Sequence, residues 1–258
     1  MSSKNQLFLT VLNIVVFVWT VAVNSLAGAT TLLNGRTSGQ ISDAYPTLIT
    51  PAGFTFSIWS IIYILLGAFV VYQALPRNKD KPFNGKISFL FILSGLLNIS
   101  WLFLWHYGFI TYSVILMFGL LASLIAIYVR LNIGKAKAPF RERICVHLPF
   151  SVYMGWITVA SIANVSVALT FVGWDGGGID PAIWAVLVIA VALLITLIAI
   201  AVRKDVAYSM VILWAMLGIM TKQSGNPKVF WATGLSLATI VAALTVMIVA
   251  LRMKKKEA

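Results

Sequence analysis

Apolar stretches of membrane-helix character recur along almost the whole chain, and this leaves little choice of fold. A helix needs about 20 apolar residues to cross the hydrocarbon core, and within that core only helices or closed barrels satisfy their own backbone polar groups. Eight segments can be laid out: Leu7–Ala27, Pro51–Leu75, Ile87–Trp105, Ile110–Tyr128, Val146–Val172, Pro181–Val202, Val206–Met220 and Val229–Leu251. The seventh is the shortest and abuts Arg203, Lys204 and Asp205. All seven acidic residues fall between or beyond these segments. With 60% hydrophobic and 10% charged residues and a mean hydropathy of +0.96, the chain has too little polar surface for a water-soluble alternative. The expectation is an all-α integral membrane protein.

A net charge of +12 invites a nucleic-acid partner, but the distribution excludes one. The basic residues sit in short loops and the tail. With the N-terminus inside, every Lys and Arg except Arg36, Lys222 and Lys228 falls on the cytoplasmic side, as the positive-inside rule requires. This predicts a multi-pass protein of the cell membrane with both termini cytoplasmic. Lys4 and the small residues Ala27-Gly28-Ala29 resemble a signal peptide, but the apolar run outlasts the roughly 7–15 residues of a signal core, so a retained helix is expected. The longest connection, Gly28 to Thr50, is polar and lies outside, where it could serve as a lid or as a slack link. Cys145 is the only cysteine, which rules out an internal disulfide or a cysteine-based metal site.

No segment carries Asp, Glu, Lys or Arg in its interior, which counts against ion-coupled transport. His106 and His147 fall at opposite membrane faces and cannot share a metal. No nucleophile–base pair or phosphate-binding loop is present, so an enzyme is not expected. The informative residues are aromatic and amide. Phe56, Trp59 and Tyr63 recur at i, i+3 and i+7, as do Asn98, Trp101 and Trp105; Tyr153, Trp156, Ala160 and Asn164 extend the pattern to i+11. Each set occupies one helix face.

An asparagine is costly to turn toward lipid, because its amide needs hydrogen-bond partners. Asn98 and Asn164 would each lie roughly 12 Å below the outer end of its helix. Two amides at one depth among several indoles compose a pocket for a flat aromatic ligand, or else polar glue between helices. Trp105, Trp174, Trp184 and Trp231 fall near the outer interface and read as an aromatic belt.

Three segments then resemble, in order, the tryptophan-rich sensory protein / translocator protein (TspO/MBR, peripheral benzodiazepine receptor) family. Thr50 to Tyr63 (TPAGFTFSIWSIIY) resembles the proline-led opening of its second helix, Asn98 to Trp101 the N-x-x-W of its third, and Trp156 to Asn164 (WITVASIAN) its fifth. Thr50, Gly53 and Phe56 stand where the family has proline, tryptophan and proline, and Pro149 lies one turn further from Trp156 than expected.

The resemblance covers about residues 7–170. It implies a five-helix translocator-like bundle (1–172), followed here by a three-helix membrane extension with a basic tail (173–258). It also implies a pocket beneath the first loop for tetrapyrroles, sterols or synthetic isoquinolines and benzodiazepines. Trp59 and Asn98 match ligand-contacting positions, and Trp156 and Asn164 line the same interior. The expected ligand-binding set is therefore Trp59, Tyr63, Asn98, Trp101, Trp156 and Asn164.

The expected partners are the lipid bilayer and a hydrophobic small molecule; a homo-oligomer is compatible with the sequence. No resident cofactor is expected, a porphyrin-type molecule being a candidate ligand. The leading expectation is a receptor or carrier for a flat ligand, with the last three helices dispensable for capture. The alternatives are a small-solute transporter using all eight helices and a structural subunit docked to a partner.

Overall fold

The computed structural model describes residues 3–256, with side chains for 5–254; Glu257 and the side chains of Lys4, Lys255 and Lys256 lie outside this range. Eight long helices fall on the eight apolar segments: α1 (Ser3–Ala29), α2 (Ile58–Ala74), α3 (Leu90–His106), α4 (Ile110–Leu131), α5 (Leu148–Phe171), α6 (Pro181–Ile198), α7 (Val206–Lys222) and α8 (Pro227–Lys256). Six are long and apolar enough to cross a membrane. The other two, α3 and α7, are apolar but shorter. At 1.5 Å per residue these two are about 26 Å long.

Helix ends follow local chemistry. Asp180 caps α6, accepting from the Ala182 N–H at 2.7 Å just before Pro181, whose missing N–H costs nothing at that position. A hydrogen bond from the Lys228 ammonium at 2.6 Å, joined by the Ala182 N–H, holds the Asp180 carboxyl below its ordinary range. Asn132 ends α4 in the left-handed conformation. Before α5 the helix widens into a π-turn at Arg143–His147. Pro149 explains it, because its ring would collide with the carbonyl four residues back, that of Cys145.

The Gly28–Thr50 connection is not structureless. It holds a short helix, Ser38–Asp43, closed by a capping box: the Gln40 N–H donates to Thr37 Oγ1 and the Thr37 N–H to Gln40 Oε1. Within the bundle α1 packs on α2 and α3, α3 on α4, α4 on α5, and α5 on α7; α8 packs on α6 and α7. One hydrophobic core runs from α2 through α5 into α6, α7 and α8, so packing is continuous across residue 172.

Asp205 corrects the view that every carboxylate stays out of the bundle. It caps α7 but is buried, accepting from Tyr128 OH at 2.8 Å, Ser151 Oγ at 2.6 Å and the Tyr208 N–H at 3.1 Å. Sequence position at a helix boundary conceals this, because the turn before α7 folds inward against α4 and α5.

Candidate ligand pocket

Close packing of α1 on α3 is possible because Gly95 meets Val16 and Thr20 with no side chain of its own. At the end carrying the Gly28–Thr50 loop, α1, α2, α3 and α5 part around a cavity of about 510 Å³. The Ser38–Asp43 helix supplies Ser38, Gly39 and Ser42 to its edge, and Thr50, Pro51 and Gly53 complete that end.

The walls are aromatic. Trp59 stacks on Tyr63 at 5.5 Å between centroids and meets Trp156 edge-on at 6.2 Å. Phe56 meets the same indole edge-on at 5.8 Å. Opposite, Trp101 stacks on Trp105 at 5.7 Å. Such contacts fix the rings in place and add modestly to their burial energy.

Five of the six expected residues line the cavity: Trp59, Tyr63, Trp101, Trp156 and Asn164. Asn98 does not. It is fully buried behind Asn24 of α1, accepting from Asn24 Nδ2 at 2.6 Å, and Asn24 takes the place on the wall. The expectation failed because a residue's face was fixed by spacing alone, without knowing which neighbour would stand in front of it. Asn164 is on the wall, but its amide is committed. Its Oδ1 accepts from Trp101 Nε1 at 2.8 Å and its Nδ2 donates to Ser113 Oγ at 3.0 Å. It therefore orients Trp101 and ties α5 to α3 and α4.

Two wall atoms are left for other partners. Trp156 Nε1 and Tyr63 OH are buried, and among the described residues neither has a hydrogen-bond partner. A buried polar atom without a partner costs about 1–3 kcal/mol, so these two favour a molecule that offers them a partner.

The belt assignment of Trp105 is also overturned. Its ring is 5% exposed and lines the cavity, with Nε1 donating to the Ser38 carbonyl at 3.4 Å. Trp231, by contrast, is 71% exposed. Asn24 could have been found in the sequence: Asn13, Thr20 and Asn24 mark one face of α1 at i, i+7 and i+11, all three half-buried or deeper. Among the described residues no His, Cys, Asp and Glu group could hold a metal ion.

A second, larger cavity of about 790 Å³ opens between α4, α5 and α6, lined by Phe118, Ile162, Val165, Leu187, Val188 and Val191 among others. Of the hydroxyls on its wall, those of Thr158, Ser161, Ser166 and Thr170 donate to carbonyls four residues back in their own helix, and that of Thr47 shares a hydrogen bond with Thr50 Oγ1. Among the described residues none of its buried side-chain polar atoms lacks a partner.

The model of the TSPO-like protein family matches residues 10–251, which takes in the last three helices as well as the three motif segments. No curated protein and no solved structure matches. With nearly the whole chain matched, including every residue of the aromatic cavity, the chain belongs to the TSPO-like protein family.

Proposed function

We propose that this protein is a membrane receptor or carrier that captures a flat, hydrophobic molecule of tetrapyrrole or sterol type in the aromatic cavity. One observation carries the reading: a cavity of about 510 Å³, walled by four indoles and a phenol, in which Trp156 Nε1 and Tyr63 OH lack partners among the described residues. That volume lies within the roughly 300–1,000 Å³ of small-molecule sites, which are mostly apolar with a few convergent polar groups. The rings would stack on a planar ligand while the indole N–H and phenol hold an acceptor at its rim. Family membership supports a ligand-binding or transport role in a membrane.

In this reading all eight helices cross, with both termini cytoplasmic and the pocket toward the outside. The length of α3 and α7, about 26 Å, falls slightly short of a hydrocarbon core of about 30 Å, a mismatch that local thinning absorbs. Residues 1–172 form the ligand-binding bundle and 173–258 the extension. Equilibrium binding of protoporphyrin IX to the purified protein tests the function. Saturable binding that Trp59→Ala weakens supports it; no saturable binding of either a porphyrin or a sterol would reject it.

A further inference from the structure

No residue of α7 lines the aromatic cavity, yet α7 holds the segment that does. Pro51, Gly53 and Phe56 face the cavity; the residues between them face α7. The Ala52 N–H donates to the Gly218 carbonyl at 3.1 Å. Trp214 Nε1 donates to the Thr55 carbonyl at 2.9 Å, and the same indole receives Phe54 edge-on at 5.4 Å. At the loop end the exposed pair of Lys222 and Asp43, at 3.0 Å, links α7 to the Ser38–Asp43 helix at the cavity's edge.

Gly218 explains how the segment comes so close. A Cβ there would overlap Thr55 Oγ1 and press on Pro51 Cβ at 3.0 Å. Glycine inside a helix costs about 1 kcal/mol relative to alanine, so its presence in mid-α7 fits a need for contact rather than for helix formation. Thr55 is fully buried and its Oγ1 has no hydrogen-bond partner among the described residues, so Thr55→Ala breaks no side-chain hydrogen bond and gives up only the packing of its Cγ2 methyl and hydroxyl.

We propose that Gly218 and Trp214 are positioning residues for ligand capture: α7 sets the shape of the cavity by fixing residues 51–56 from behind. The proposal rests on the aromatic cavity being the ligand site, and it assigns the extension a part in binding. Gly218→Ala drives the segment off α7 and into the cavity. Thr55→Ala removes the closest of these contacts, the Oγ1 overlap, but leaves Pro51 Cβ at 3.0 Å and the Cβ of residue 55 at 3.1 Å, so the double variant returns the wall part of the way.

Two readouts separate this proposal from the ligand reading itself. One is the affinity for protoporphyrin IX. The other needs no ligand: the rate at which a small thiosulfonate reagent modifies the cysteine introduced by Ser60→Cys, on the cavity wall, in a Cys145→Ala background.

Gly218→Ala is expected to weaken porphyrin binding about tenfold and to change the thiol rate, as overpacking by one methyl does. Thr55→Ala alone should change both less than Gly218→Ala does, and adding it to Gly218→Ala should restore both in part. Trp214→Phe keeps the edge contact but not the N–H, and should weaken binding about threefold, which keeps the proposal testable if Gly218→Ala fails to fold. An unchanged affinity and thiol rate in the folded Gly218→Ala protein would overturn the proposal, as would failure of Thr55→Ala to rescue. If wild type binds neither a porphyrin nor a sterol, the ligand reading fails and the thiol rate alone decides whether α7 shapes the cavity.

Discussion

Two cavities of the molecule differ in character, and the smaller is the better candidate site. The space between α4, α5 and α6, about 790 Å³, is larger than the aromatic cavity at about 510 Å³, but most of its wall is aliphatic, with Phe118, Trp174 and Trp184 the only aromatic rings. Its hydroxyls all have partners, those of α5 within their own helix and Thr47 on Thr50. Among the described residues it holds no buried side-chain polar atom in need of a partner. The aromatic cavity concentrates indoles and leaves two buried polar atoms without partners. Specificity comes from a few groups that only the right ligand satisfies, so volume ranks these two spaces in the wrong order.

Removing a wall ring should produce the largest contrast. Trp156→Ala deletes an indole that Phe56 and Trp59 pack against, and binding of protoporphyrin IX should weaken by about 2 kcal/mol or more, roughly 30-fold. Filling the other cavity with Val188→Trp should leave titrations by tryptophan quenching within about twofold of wild type, as expected for independent sites. If Val188→Trp were the more damaging, the two cavities would have to exchange roles.

Truncation comes next. A chain ending at Gly178 keeps every residue of the aromatic wall but loses α7, and with it the Gly218 and Trp214 contacts and the Asp205 acceptor of Tyr128 and Ser151. The motifs alone suggest that the extension is dispensable. The packing predicts instead that a truncated chain which still inserts binds porphyrin more than tenfold less tightly, a loss above 1.4 kcal/mol. Retained affinity would return the extension to a bystander's role.

The amide pair on the wall gives a smaller effect. Asn24→Leu removes the polar group that borders the cavity, whereas Asn98→Leu removes only its support; Asn24 Nδ2 keeps its bond to the Thr20 carbonyl at 2.8 Å. Asn98→Leu should lower thermal stability by about 1 kcal/mol and change porphyrin affinity little, with Asn24→Leu the more harmful to binding. The reverse order in the same detergent-solubilised samples would put Asn98 back on the wall.

What was legible in the sequence follows from what spacing can encode. Apolar runs located all eight helices, since hydrocarbon demands long uninterrupted stretches wherever a helix meets lipid. Periodic Trp, Tyr and Asn marked the cavity-facing sides of α2, α3 and α5, because a helix face is a local property. Depth behind a neighbour is not local, so spacing puts Asn98 on the wall where the structure puts Asn24. For the same reason Trp105 looked like a belt residue until the Ser38–Asp43 helix was seen to cover it. The capping box at Thr37 and Gln40 was readable and would have given the loop its helix. Gly218 carried no signal: one glycine in an apolar helix looks the same whether it faces lipid or another backbone.

Covalent capture tests the choice of cavity most directly. A flat hydrophobic probe bearing a photoactivatable group, bound to the protein in vesicles and irradiated, leaves adducts that peptide mass spectrometry can locate. Adducts should fall on the peptides of Trp59 and Tyr63, of Trp101 and of Trp156, and should disappear when protoporphyrin IX competes. Adducts confined to Ile162, Leu187, Val188 and Val191, displaced by the same competitor, would place the ligand in the aliphatic cavity and contradict the account.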